Sequence, residues 1–236
     1  AVFFVMNGVP WWYFDRHGGA LDGTPLPELD PGGAVRAAIG VERAVGGVIY
    51  SACTVVEPGV IDVASPLNRV FLGEPDGRPS PRAEALAAFL RRAGFEAPVT
   101  SDIRKEVWTK LAANLSNGPL CILSRRGMQE TLADPVLRDA SVACMRETIA
   151  IAASLGVSVD MDPEKRVAQS ATIRHKPSIL QDLEMEKPME IEAMLAAPLR
   201  LARLTGVATP TLDLTVALAK SAARAAGLYD DPAGNG

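Results

Sequence analysis

The feature that most constrains the fold of this chain is a change in hydrophobic pattern near Thr100. Before it, short apolar runs are separated by Gly, Pro, Asn and Asp, as expected for strands joined by turns. After it, every periodic segment has helical spacing. The sequence therefore predicts an α/β part over residues 1–100, a helical part over 101–228 and a flexible tail over 229–236. The predicted strands are residues 2–6, 46–51, 53–56, 60–63 and 69–72.

The composition excludes several classes of protein. Among 236 residues, 28 are acidic and 24 are basic, which gives a formal net charge of −4. Nucleic-acid binding depends on Lys and Arg that neutralise phosphates, so a mildly acidic chain without a basic stripe does not fit that class. No apolar run approaches the ~18 residues that a membrane span needs. An odd number of cysteines without metal-site spacing is typical of reduced thiols, so a cytoplasmic location is expected: Cys53, Cys121 and Cys144.

Capping residues and prolines predict where the helices begin and end. One helix is predicted over residues 102–116, ending before Gly118-Pro119, because Gly and Pro commonly follow a helix C-terminus. Asp134-Pro135 combines an N-cap with a proline at the first helical position. Pro198 lies inside a helical stretch at 188–204. Since proline removes a backbone donor and clashes with the preceding turn, a kink or break is predicted just before it.

Lys110 and Asn114 form the strongest local constellation in the chain. They are four residues apart on a predicted helix and therefore project from one face. A lysine and an asparagine presented together could protonate and hold a carbonyl oxygen. The alternative is a solvated lysine beside an asparagine near a helix end, since exposure is the usual state of a charged residue. Asn117 and Gly118 also have a purely structural explanation as a helix stop.

Ser178 and Glu190 belong to a second candidate segment. Ser178 is predicted to be a helix N-cap. Glu190 is predicted to lie in the first turn of the following helix, where the helix dipole favours a carboxylate even without a functional role. Either residue can therefore be explained by structure alone.

Asn7 and Gly8 follow the first predicted strand and precede four consecutive aromatic residues, Trp11-Trp12-Tyr13-Phe14. A loop at the carboxyl end of a strand is a common position for the sites of α/β proteins. A packed lid or interface is the alternative interpretation of the aromatic cluster.

Taken in order, these segments resemble the ketopantoate reductase (2-dehydropantoate 2-reductase) family. The motifs that carry the resemblance are Asn7-Gly8, Lys110-x-x-x-Asn114, Ser178-x-Leu180-Gln181-Asp182 and Glu190-Ile191. Each motif is weak alone, but their order and spacing are specific, and the match extends to about residue 227. The resemblance implies a partial Rossmann-type α/β domain followed by a helical domain like the C-terminal domain of 6-phosphogluconate dehydrogenase. It also implies an active site in the cleft between the two.

The resemblance further implies an NADPH-dependent reduction of ketopantoate to pantoate, on the route to coenzyme A. The expected cofactor is NADPH, the expected partner is a small 2-oxo acid, and a homodimer is a further expectation. By position, Lys110 is implied to be the general acid that protonates the ketone oxygen. Glu190 is implied to bind the substrate hydroxyl. The other implied site residues are Asn114, Asn117 and Ser178 for the substrate, and Asn7 and Gly8 for the cofactor.

Two departures from the family pattern leave alternatives open. The family usually has a second asparagine four residues after Asn114, where this chain has Gly118, and Asn117 could substitute for it from one place earlier. No G-x-G-x-x-G occurs and the chain starts directly on a strand. Both features favour a chain that lacks on the order of 70–90 residues of its Rossmann domain, two to three βα units of about 30 residues each. The alternatives are a reductase of another 2-oxo acid and a non-catalytic dimerisation or binding module.

Overall fold

The computed structural model describes residues 1–63 and 68–230, and the chain divides into two compact units. The first unit is Ala1–Val107 and the second is Trp108–Gly236. The division falls a few residues after Thr100, where the hydrophobic pattern changes.

The predicted flexible tail is described only at its beginning. Residues 231–236 lie outside the described residues. Tyr229 is 9% exposed, and its hydroxyl donates a hydrogen bond to the Glu192 carboxylate. The first residue of the predicted tail is therefore packed against the helical unit.

The first unit is built on a small mixed sheet. Its strands and helices are β1 (Val2–Val5), β2 (Ala44–Tyr50), β3 (Cys53–Glu57), β4 (Val60–Val63), β5 (Arg69–Gly73), α1 (Ala34–Ile39) and α2 (Pro81–Arg92). The sheet has the order β1-β2-β5, with β1 parallel and β5 antiparallel to β2, while β3 and β4 form an antiparallel hairpin. All the predicted strands are confirmed, with shifts of one or two residues at their ends.

The aromatic residues after β1 belong to the core of the first unit. Trp12, Tyr13 and Phe14 are each at most 1% exposed. Gly46 in β2 makes room for Trp12, because a Cβ atom at Gly46 would lie only 2.6 Å from Cζ2 of that ring. The cluster is therefore packed against the sheet, as in the structural alternative considered from the sequence.

A half-buried arginine holds the loop that contains these aromatic residues. The guanidinium of Arg104 donates to the carbonyl oxygens of Tyr13 (2.8 Å), Asp15 (2.8 Å) and Pro75 (2.6 Å). It also lies over the rings of Trp12 and Tyr13, at 5.8 and 5.6 Å from their centroids. Burial lowers the pKa of Arg104. Three hydrogen bonds to carbonyl oxygens satisfy its buried donors, so the loop is firmly anchored.

The described residues of the second unit form helices and the loops between them, without a strand. Helix α3 (Ile103–Ser124) runs into it from the first unit. The others are α4 (Met128–Thr131), α5 (Pro135–Ser154), α6 (Pro163–Ser170), α7 (Ser178–Glu184), α8 (Ala197–Thr205) and α9 (Pro210–Ala225). The predicted cap of α5 is confirmed, because the Asp134 carboxylate accepts from the backbone N–H of Val136 at 2.8 Å. No helix in the described ranges combines the length and hydrophobicity needed to cross a membrane.

Helix α3 continues through Gly118-Pro119, so the predicted end of this helix at residue 116 is wrong. Every residue from 115 to 122 is buried. A proline in a helix interior costs about 3 kcal/mol, and packing over this stretch outweighs that local cost. One turn before the proline, the Ala113 carbonyl also accepts hydrogen bonds of 3.0 Å from Ser116 Oγ and Asn117 Nδ2.

The disturbance predicted before Pro198 takes the form of a π-helical turn. The turn spans Glu192–Ala196 and leads directly into α8. A π-helical turn is one way to accommodate a residue that interrupts the regular α-helical hydrogen bonds. The helical segment begins at Ile191 rather than at the predicted residue 188.

Candidate active site

Lys110 and Glu190 are far apart in sequence and interact electrostatically in the second unit. Lys110 lies in α3 and is half-buried. Burial lowers the pKa of Lys110 from 10.5 to about 8, and the negative charge of Glu190 opposes that shift. The ammonium group is thus made more acidic than usual while a carboxylate stays near it. A lysine of this kind can donate a proton close to neutral pH.

Glu190 is exposed and lies immediately before the helical residue Ile191. Its backbone carbonyl accepts from the N–H of Met194 at 3.2 Å, as at the start of a helix. Glu190 therefore precedes the first turn in which it was predicted to lie. The preceding residue, Met189, is tied to the Leu228 carbonyl by a hydrogen bond of 3.0 Å. The segment that carries Glu190 is thus held at both ends by backbone hydrogen bonds.

Ser178 is the first residue of α7, so its prediction as the N-cap is wrong. The N-cap is Pro177, whose extended ψ of 144° places it outside the helix. The Pro177 carbonyl accepts from the N–H groups of Leu180 (3.0 Å) and Gln181 (3.1 Å). The backbone alone begins this helix, so capping does not explain Ser178, and its side chain is exposed.

Asp182 belongs to a motif of the family resemblance but was not selected from the sequence as a site residue, and it is a further candidate for this site. It lies four residues after Ser178, on the same face of α7. Burial raises the pKa of Asp182, the nearby charge of Glu190 raises it further, and Lys187 acts in the opposite sense. The charge of Glu190 therefore raises the pKa of both Lys110 and Asp182. The four-residue spacing from Ser178 was the signal available in the sequence.

Asn114 and Asn117 have different environments, although both lie in α3. Asn114 follows Lys110 by one helical turn and is half-buried. Asn117 is 4% exposed, and its Nδ2 donates to the Ala113 carbonyl at 3.0 Å and to Ser170 Oγ at 3.3 Å. Its Oδ1 accepts from Ser141 Oγ at 3.2 Å. This amide is therefore used inside the core, and the substrate-binding role expected of Asn117 from the sequence stays a prediction.

Asn7 and Gly8 lie in the first unit, just after β1. Asn7 is half-buried and Gly8 is buried. Gly8 has a φ of 78°, a left-handed conformation that favours glycine. The turn therefore begins where the strand ends, which is the position expected of a ligand-binding loop in an α/β unit.

The candidate residues accordingly fall into two groups. Lys110, Asn114, Ser178 and Glu190 are in the second unit, and Asn7 with Gly8 is in the first. Across the described part of the chain, no three His, Cys, Asp or Glu side chains are grouped as metal ligands would be.

Comparison with known proteins establishes the family. The family model described as the C-terminal part of ketopantoate reductase PanE/ApbA matches residues 102–223. A 2-dehydropantoate 2-reductase of Mesorhizobium japonicum is 42% identical over 230 residues, covering 97% of this chain and 70% of that protein. The chain belongs to the ketopantoate reductase family. Its fold is that of a partial Rossmann-type α/β domain followed by a helical domain.

Solved structures agree with this assignment. A Ralstonia solanacearum protein, described provisionally as a ketopantoate reductase, matches with a TM-score of 0.89 at 35% identity, over 96% of this chain and 69% of that one. The 2-dehydropantoate 2-reductase of Methylococcus capsulatus matches with a TM-score of 0.77 at 28% identity, over 99% of this chain and 68% of that one. A D-mandelate dehydrogenase complex with NADH has a TM-score of 0.75 at 20% identity, over 96% and 68% of the two chains, and this likeness concerns the fold alone.

Proposed function

We propose that this member of the ketopantoate reductase family reduces ketopantoate to pantoate with NADPH. The observation that carries the proposal is the half-buried Lys110, with a pKa lowered to about 8 and the Glu190 carboxylate near it. Reduction of a ketone places negative charge on its oxygen, and a positioned ammonium can stabilise that charge and donate a proton to it.

The roles of the side chains follow from their chemistry. Lys110 Nζ donates a proton to the ketone oxygen as the C–O π bond breaks and the carbon gains a hydrogen. The Asn114 amide donates to an oxygen of the substrate, and the Ser178 hydroxyl holds another polar group. The Glu190 carboxylate accepts from the substrate hydroxyl. The product is a 2-hydroxy acid, and Lys110 regains its proton from solvent.

Asn7 and Gly8 fit the nicotinamide end of a dinucleotide. They follow a strand of the Rossmann-type sheet, and the positive φ of Gly8 turns the backbone there without a side chain. The bound cofactor supplies the hydride. The glycine-rich loop that grips cofactor phosphates in Rossmann folds has no counterpart in this sequence, so these two residues are proposed to contact only the nicotinamide and ribose.

The test is the loss of NADPH absorbance with ketopantoate, for the natural polypeptide in which this sequence occurs and for the 236-residue chain in parallel. We expect Lys110→Ala to lower kcat/KM by at least ~10²-fold, as for a lost general acid. Lys165→Ala is the matched control, since this lysine lies in α6 with its side chain 83% exposed. Equal turnover with Ala at position 110 would contradict the proposed role.

A second candidate function is the reduction of another 2-oxo acid. It is favoured by Gly118, which provides no side chain where the family pattern has an asparagine. Comparison of kcat/KM across a panel of 2-oxo acids decides between the two substrates. Titration of the 236-residue chain with NADPH tests the remaining alternative, a non-catalytic binding module, which tight binding of the cofactor would contradict.

A further inference from the structure

Gly118 in α3 lies close to α7. It is buried in α3, and its φ lies outside the left-handed region, so the backbone conformation does not require glycine. A Cβ atom at this position would lie 3.3 Å from Cγ2 of Ile179. Carbon atoms in contact prefer about 3.5–4.0 Å, so even one added methyl group would push Ile179 away.

This contact lies on the helix face that carries the proposed general acid. Lys110, Asn114 and Gly118 follow one another at four-residue intervals, about 6 Å apart along the axis of α3. Ile179 directly follows Ser178 in α7. The contact between Gly118 and Ile179 therefore joins the residue next to Ser178 to the lysine face of α3.

The charge of Glu190 is a second interaction that connects α7 with the Lys110 face of α3. The charge of Glu190 acts on Asp182 in α7 and on Lys110 in α3. Near its start, α7 packs against α3 through Ile179 at Gly118. Near its end, Asp182 of α7 interacts with the charge of Glu190, which also acts on Lys110. Ile179 and Asp182, three residues apart, lie on the α7 face involved.

Few side-chain amides of α3 can bind a ligand, so the placement of the Ser178 hydroxyl matters. Asn117 is used in the core, and α3 contains no side-chain amide after it. Asn114 is therefore the last residue of α3 that can offer an amide to a ligand on this face. A polar substrate group beyond Asn114 depends on Ser178, whose side chain is exposed.

We propose that Gly118 is a positioning residue that sets how closely α7 packs on α3 and so places the Ser178 hydroxyl for a 2-oxo acid. The proposal rests on the proposed function of this site. Ile179 is 1% exposed and therefore enclosed by other residues, so a Cβ atom at Gly118 would displace a packed side chain of α7. A shift of a few tenths of an ångström at Ile179 is transmitted to Ser178 through the backbone that joins them.

The kinetic test compares Gly118→Ala with a matched control, Gly127→Ala. Gly127 is also buried, but a Cβ atom there would meet its nearest neighbour, the Arg174 carbonyl oxygen, at an ordinary 3.6 Å. We expect Gly118→Ala to raise KM for ketopantoate about fivefold, since misplacing a binding group by 1 Å can cost on the order of 10²-fold. The Kd for NADPH and the KM of the control should stay unchanged.

A double-mutant cycle separates positioning of Ser178 from a general loss of packing. If Gly118 acts through Ser178, adding Gly118→Ala to Ser178→Ala should raise KM little further. Ile179→Leu removes the methyl group on Cβ that the new side chain would meet, so it should restore KM in the Gly118→Ala background. Additive effects on KM, or equal KM values for Gly118→Ala and Gly127→Ala, would overturn the proposal.

Hydrogen exchange provides a readout that does not depend on turnover. Gly118→Ala should speed amide exchange in residues 178–184, with Gly127→Ala and Gly118→Ala/Ile179→Leu close to the unmodified chain. Unchanged exchange in this segment would overturn the packing role of Gly118. If the unmodified protein reduced no 2-oxo acid, the proposed function would fail, and exchange would still decide whether Gly118 positions α7.

Discussion

Lys110 illustrates how burial and one nearby charge set the chemistry of a single residue. Exposure is the usual state of a lysine, and an exposed ammonium keeps a pKa near its ordinary value. Burial in the second unit lowers the pKa of Lys110 to about 8, although Glu190 favours the charged form. The group is then mostly protonated at neutral pH and still acidic enough to transfer its proton, which is the balance that general acid catalysis needs.

The pH dependence of activity should report this balance. A general acid must be protonated, so kcat/KM should fall as pH rises through about 8. Glu190→Gln removes the negative charge that raises the pKa of Lys110, so the basic limb should move to lower pH. The measurement is the pH profile of kcat/KM for NADPH-dependent reduction of ketopantoate.

The control for this profile is Glu164→Gln, which removes an exposed carboxylate paired with Arg146 in another part of the unit. That variant should keep the basic limb near pH 8. Because Glu190 is also proposed to bind substrate, Glu190→Gln should lower the maximal rate as well. A lower maximum with an unmoved basic limb would rule out Glu190 as the carboxylate that tunes Lys110.

At the scale of the element, α3 combines the proposed catalytic face with a structural anchor. Lys110 and Asn114 lie one turn apart on the proposed substrate face. Asn117, almost one turn further, joins α3 to Ser141 in α5 and to Ser170 in α6. The two asparagines lie only about 60° apart around the helix. We propose different roles for them because Asn117 is buried and hydrogen-bonded in the core, whereas Asn114 is half-buried.

The two roles predict opposite effects of substitution. Asn117→Ala leaves buried hydroxyl groups without partners and should lower the free energy of unfolding by about 2–3 kcal/mol, with KM for ketopantoate little changed. Asn114→Ala should raise KM and change stability much less, since Asn114 is only half-buried. Urea unfolding followed by tryptophan fluorescence, together with steady-state kinetics, measures both quantities. A raised KM with unchanged stability for Asn117→Ala would instead support a substrate-binding role for Asn117.

The elements also separate what local sequence can predict from what packing decides. The strands were predicted because β-branched residues and turn residues act within a few positions. The N-cap of α5 was predicted for the same reason. The end of α3 was predicted wrongly, because Gly118-Pro119 is a local stop signal that burial of the whole stretch overrides.

At the scale of the whole molecule, the three thiols have contrasting environments in the two units. Cys53 in β3 is exposed, whereas Cys121 and Cys144 in the helical unit are fully buried. Burial raises the pKa of both buried thiols to about 11. Their thiolate forms are therefore scarce at neutral pH, and access is blocked as well.

Thiol labelling should follow this division. At neutral pH without denaturant, we expect one thiol per chain to react quickly with a small alkylating reagent, and all three to react in denaturant. Cys53→Ser should abolish the fast reaction and leave the slow ones, as mass spectrometry of the labelled chain would measure. Fast reaction of two or more thiols in the native protein would show that the helical unit opens readily.

The sequence by itself determined the kinds of element, the change from strands to helices and the order of motifs that identifies the family. These depend on interactions between residues close together in the chain, and on spacing that can be read directly. Only the tertiary structure decided that α3 passes through Pro119, that Asn117 belongs to the core and that the charge of Glu190 acts on both Lys110 and Asp182. Such facts depend on burial and on charges brought together from distant parts of the chain, and local pattern carries no information about either.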